Sequence, residues 1–297
     1  MMKILDFNCL APEEFLNRDI RAEEDVSAAV DDILREVRTR GDAALRGYTR
    51  RFDGAELKDF RVTAAEFDAA REAVAPCFLE TLRQAAENIR RFHERQKHND
   101  FLLAGDSGVV MGQRWTPIER VGICVPRSPE AFPSTILMSA IPAQIAGVED
   151  IVIVTPPRPD GTVSPEALMA AELAEVTEVF KIGGAQAVAA LACGTETVPR
   201  VDKIVGPGGI YVATAKRKVF GQVDIDMIAG PSEILVLADG ETDPKWAAAD
   251  LLSQAEHDVL ASAVLVTDSR ELAEAVAPLR TTARSLWRTA WTRRWRR

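Results

Sequence analysis

The sequence predicts an α/β protein: a Rossmann-like parallel sheet domain inserted in a second α/β domain, with a helical N-terminal region. Three observations carry that expectation. The first third of the chain has apolar residues at helical spacing and few breakers. From residue 119 onward, short continuous apolar runs each precede an amphipathic stretch. Gly-Pro-rich turns then follow those runs, where strands would end.

Taken in order, residues 23–52 and 64–97 read as helices, because their apolar positions recur on one face. Four strand–helix pairs come next: "RVGICVP" before "STILMSAIPAQIAG", "DIVIVTPP" before "PEALMAAELAEV", "EVFKIGG" before "AQAVAALACG", and "VDKIVGPG" before "YVATAKRKV". A helix that carries the chain back across a sheet returns the next strand parallel to the last, so the four pairs predict a parallel sheet. After "DIDMIAGPSEILVLAD" the pattern resumes with helix "KWAAADLLSQAEH", strand "SAVLVTD" and helix "RELAEAVAPL". The expected organisation is therefore residues 1–118 as the helical part of a first domain, 119–231 as the inserted sheet domain, and 232–279 as the rest of the first domain. Residues 280–297 form an Arg/Trp-rich tail foreign to both.

Composition narrows the function classes. With 297 residues and 47% hydrophobic content, the chain can bury one large core or two moderate ones. It has no apolar run of about 18 residues, and its start turns acidic within "MMKILDFNCLAPEEF", so a cytoplasmic protein without membrane contact is expected. Cys9, Cys77, Cys124 and Cys193 stand singly, as reduced thiols do, without the paired spacing of a zinc ribbon. Seven of the 36 basic residues lie in 280–297, which holds no acid, leaving 29 basic against 45 acidic residues in 1–279. A body of net charge −16 is no nucleic-acid binder.

Ligands of parallel sheets gather at the strand C-terminal ends, where "VPRSPE", "GGAQ", "GPGG" and "GPSE" all fall. Gly183 and Gly184 in "KIGGAQ", and Gly206 and Gly208 in "VGPGG", either let backbone amides approach an anion or simply allow close packing. His93 and His98 read as surface or capping residues of a charged helix. Ser232 in "AGPSEI" lacks the context of a nucleophile and suits a substrate hydrogen bond better. Gln254 and His257 in "DLLSQAEHD" lie one helical turn apart, and both side chains can ligate a divalent cation, although two ligands do not hold zinc and a solvent-facing helix end has the same spacing.

The wider pattern resembles the histidinol dehydrogenase family. The matching stretches are "GDAALRGYTRRFDG", "NIRRFHERQ", "PIERVGICVP", "PSTILMSAIPAQIAGV", "KIGGAQAVAALACGTETVPRVDKIVGPG", "DMIAGPSEILVLAD" and "DLLSQAEH", in order over nearly all of residues 20–270. The resemblance implies NAD-dependent oxidation of L-histidinol, a small amino alcohol, to L-histidine in histidine biosynthesis, with zinc at the site and a homodimer as the working unit. It makes residues 119–231 the cofactor domain. It also implies that Gln186 binds NAD, that Ser232, Gln254 and His257 contact substrate, and that Gln254 and His257 ligate zinc.

The family's catalytic Glu–His pair and its other two zinc ligands fall beyond Arg297, so the resemblance is to a C-terminally truncated member, expected to be inactive alone. There are departures upstream as well. Cys124 stands where the family has a tyrosine, Arg127 and Ser128 where it has two glycines, and Gly209 where it has an asparagine. A dehydrogenase of another alcohol, such as a sulfonated diol, and a non-enzymatic binding protein are the alternatives.

Overall fold

The structure is a computed structural model that describes residues 4, 21–105, 107–126, 132–228, 232–256 and 261–279. These residues fall into two compact units, one within Arg21–Ala229 and the other within Met1–Ile20 and Gly230–Arg297.

The larger unit is a three-layer sandwich. Helices α1 (Arg21–Arg40) and α2 (Asp42–Tyr48) are separated by Gly41 at φ 52, which splits the first predicted helix, and a π turn, Thr49–Asp53, ends the second. Helix α3 (Ala64–Ala73) starts with a capping box in which the Thr63 hydroxyl accepts from the Glu66 amide and the Glu66 carboxylate accepts from the Thr63 amide. Pro76 then opens α4 (Pro76–His93), which breaks the second predicted helix in two.

Strands β1 (Phe101–Ala104) and β2 (Val110–Gln113) form an antiparallel hairpin whose eight residues are all exposed. The sequence gives no sign of it. The four expected strand–helix pairs follow: β3 (Arg120–Cys124) with α5 (Pro133–Ala146), β4 (Asp150–Val154) with α6 (Pro165–Leu173), β5 (Glu178–Phe180) with α7 (Gly184–Cys193), and β6 (Lys203–Val205) with α8 (Ile210–Val219). A two-residue strand β7 (Asp224–Ile225) completes a fully parallel sheet of order β5-β4-β3-β6-β7.

Alternation along the strands explains the two cores. Val152 and Val154 of β4 face a cluster with Val30, Ile33 and Leu45 of the first two helices and Val188 and Leu191 of α7. Ile151 and Ile153 face the opposite cluster, with Phe67, Leu82, Ile136, Leu137 and Met169. Both faces are thus covered. The segment before α3 also closes the sheet's outer edge: the Val62 amide donates to the Val179 carbonyl at 2.8 Å, and the Lys181 amide donates to the Phe60 carbonyl at 2.7 Å.

The helices of residues 21–96 share their cores with the sheet, because apolar faces sort elements by what they can cover and not by where the helical and α/β patterns meet in sequence. The smaller unit contains β8 (Glu233–Leu237) and β9 (Ser262–Val266), paired parallel, with α9 (Pro244–Ala255) and α10 (Arg270–Val276). Ala247, Ala248, Leu251, Leu272 and Val276 form its core.

Candidate active site

The strand order reverses between β3 and β6: from β3 the chain builds outward through β4 to β5, then returns to the other side of β3 to place β6 and β7. Ligands of open parallel sheets bind at such a switch point, outside the strand C-terminal ends. Here those ends are Cys124 and the loop 206–209.

The loop is held tightly. Gly206 has φ +106, and a Cβ there would collide with the carbonyl oxygen of Cys124, so only glycine serves. A Cβ on Gly208 would lie 2.5 Å from Val212. Both glycines are therefore explained by packing within the chain. Gly209 differs, because a Cβ there would meet nothing within 4 Å; it is the N-cap of α8 with φ −65, a conformation open to any residue, and it makes no side-chain cap. The carbonyl of Gly209 accepts from the amides of Val212 (2.9 Å) and Ala213 (3.0 Å), while the first amides of α8 have no partner inside the helix.

Beneath the loop lies a part-buried ion pair, its lysine enclosed and its aspartate partly exposed, that the sequence reading does not single out. The Lys216 ammonium contacts the Asp226 carboxylate and donates to the Gly206 carbonyl at 2.9 Å, while the Gly206 amide donates to Asp226 Oδ2 at 2.8 Å. The signal was available: Lys216 falls at helical spacing between Val212 and Val219, a charge on an apolar stripe. Cys124 lies close to this pair. Burial pushes its thiol up to about 12, with the Lys216 charge opposing and the Asp226 charge assisting, so the thiol stays protonated and unreactive at neutral pH. It is only 5% exposed, and a tyrosine in its place would overpack the core.

Gln186 lies in the first turn of α7, but it is buried, with its amide oxygen 2.8 Å from where a Cβ on Gly184 would sit. A Cβ on Gly183 would meet Pro156 at 2.7 Å. The "GG" is therefore a packing feature, and Gln186 covers it. In the smaller unit, Ser232 is exposed just before β8, and Gln254 lies in the last turn of α9 with a buried Nε2 that has no hydrogen-bond partner. His257, Arg127, Ser128, Cys9 and the tail 280–297 lie outside the described residues.

His93 is hydrogen-bonded to Gln96 at 2.6 Å, on its own segment, and His98 stacks on Trp115 at 4.2 Å, across the base of the β1–β2 hairpin. Among the described residues, Cys77, Cys124 and Cys193 are free thiols, no three His, Cys, Asp or Glu side chains gather as a metal site, and no helix is long and apolar enough to cross a membrane.

The sequence profile of the histidinol dehydrogenase family matches residues 16–293. The chain belongs to the histidinol dehydrogenase family. It is 53% identical over 277 residues to histidinol dehydrogenase of Halalkalibacterium halodurans, covering 93% of this chain and 65% of that protein. It is 57% identical over 254 residues to the Geobacillus kaustophilus enzyme, covering 86% of this chain and 60% of that one. The crystal structure of histidinol dehydrogenase from Elizabethkingia anophelis superposes with a TM-score of 0.78 at 38% identity, over 89% of this chain and 60% of that chain. The chain thus spans 60–65% of the length of these histidinol dehydrogenases.

Proposed function

We propose that this chain carries the dinucleotide site, and one part of the alcohol site, of an NAD-dependent histidinol dehydrogenase that oxidises L-histidinol to L-histidine. Identity of 53–57% to histidinol dehydrogenases over about nine-tenths of the chain carries the reading. The residues at the switch point fit a dinucleotide phosphate: the first two α8 amides, Ile210 and Tyr211, precede the first helical hydrogen bond, the Gly209 position is open, and Gly206 lets the backbone close on β3. When bound, NAD supplies the hydride acceptor.

The chain's own groups bind and orient the reactants. Loop 206–209 orients the pyrophosphate, and Gln186 contacts the cofactor once its amide turns away from Gly184. The Ser232 hydroxyl, the Gln254 amide and the His257 ring hold the amino alcohol. The buried, unpartnered amide of Gln254 suits a ligand contact of this kind. Gln254 and His257 would be two of the ligands of a zinc ion, and two ligands alone do not hold zinc. We further propose that the working protein is a cytoplasmic homodimer.

The test is a fluorescence titration of the 297-residue chain with NADH, expected to show saturable binding without turnover of L-histidinol. Gly209→Asn adds one hydrogen-bonding amide in open space and should tighten binding about fivefold, the equivalent of about 1 kcal/mol. Fusing the chain to the remaining C-terminal length of the Geobacillus kaustophilus enzyme should give about two NADH per histidinol, as a four-electron oxidation requires. A folded chain with no saturable NADH binding would falsify the cofactor reading. Binding of NADH with a folded, inert fusion would favour the non-enzymatic alternative.

A further inference from the structure

The Lys216–Asp226 pair has no part in the roles assigned so far. Its cost is plain: the Lys216 side chain is 3% exposed, and two apolar residues would fill the same space without desolvating charges. What two apolar residues could not do is satisfy both polar groups of Gly206, whose amide donates to Asp226 and whose carbonyl accepts from Lys216. Asp226 also accepts from the Met227 amide at 2.6 Å, so its carboxylate is itself fixed.

Gly206 needs such fixing. With φ +106 it occupies a region that glycine enters and leaves freely, and nothing in its own chemistry holds it there. The pair reaches it from two elements, α8 and the segment after β7, and clamps it at the reversal between β3 and β6.

We propose that Lys216 and Asp226 are positioning residues that hold loop 206–209 in the shape that accepts the cofactor's pyrophosphate. The proposal rests on the cofactor reading given above. Without the pair, both polar groups of Gly206 lose their partners and the loop spreads over several shapes. Apparent affinity then falls by the fraction of time spent in the competent one.

The experiment compares NADH titrations of the full chain with those of Lys216→Met, Asp226→Asn and Lys216→Arg, at a temperature where thermal unfolding shows each to be folded. Hydrogen exchange of the peptide covering 206–212 is followed alongside. Lys216→Met and Asp226→Asn should weaken NADH about tenfold or more and speed exchange in that peptide. Lys216→Arg keeps the charge and the donors and should recover most of the affinity. Asp226, with 29% of its side chain exposed, supplies the test if Lys216→Met fails to fold. If the wild type binds NADH and the folded variants bind it equally well, the positioning role is overturned while the cofactor reading stands. If the wild type itself does not bind, both fall together.

Discussion

The two units each hold a parallel sheet, and the sheets differ in what covers them. In the five-stranded sheet, alternate residues of β4 enter separate cores on opposite faces, each roofed by helices. In the β8–β9 pair, Ile234, Val236, Ala263 and Leu265 alternate with Leu235, Leu237, Val264 and Val266, and only the first set faces α9 and α10. The second set forms cross-strand pairs, Leu235 with Val264 and Leu237 with Val266, that stay exposed; Leu237 is 77% accessible. Parallel strands read as continuous apolar runs in both places, so sequence alone makes the two sheets look equally buried. Burial depends on partners that the strand itself does not encode.

That contrast can be broken most forcefully at Ile153, which is fully buried in the helix-roofed sheet. Ile153→Ala should cost about 2–5 kcal/mol in urea unfolding, through lost burial and the cavity left behind. A loss under 1 kcal/mol would mean that the larger unit is not close-packed.

A smaller effect is expected at Glu66, which ties the helical layer to the sheet edge. Its carboxylate receives the Lys181 ammonium at 3.0 Å and caps α3. Burial alone would raise its pKa, but the Thr63 and Lys181 hydrogen bonds outweigh burial and hold it below the ordinary carboxylate value. A lowered folded-state pKa means the contribution is present at neutral pH and is lost as pH falls through the carboxylate range. Glu66→Gln should therefore cost about 1–3 kcal/mol at pH 7 and much less in acid. An equal cost at both pH values would remove the electrostatic part of this account.

The smallest change belongs to the bare face. Leu237→Thr should alter stability by no more than about 0.5 kcal/mol while reducing binding of an apolar dye. A loss of several kcal/mol would show that this face is covered in solution and that the contrast between the sheets is false.

Much of the larger sheet was legible because a buried parallel strand leaves a signature that survives without context: a short apolar run, then a turn rich in glycine or proline, then a helix. The β1–β2 hairpin left none. "FLLAGDSGVVMG" neither alternates nor carries a recognised two-residue turn, and all of its strand residues are exposed. At the site, sequence singled out the loops at the strand ends, but it could not tell a glycine that admits a ligand from one that admits a neighbour. Gly183, Gly184, Gly206 and Gly208 proved to be the second kind, and Gly209 is left open. The Lys216–Asp226 contact joins residues ten apart through a fold that only the sheet order reveals.

The exposed hairpin has a consequence for how the molecule comes apart. It is the point where the chain passes from the helices before it to the strands after it, and a protease would find its turn between β1 and β2 before any buried segment. One cut there would leave two fragments that still share both cores, still stitched along the sheet edge at Val62 and Lys181. Such a nicked protein should elute as one species and separate only in denaturant, each fragment serving as the template on which the other folds; fragments that part in native buffer would show that the covalent link is essential.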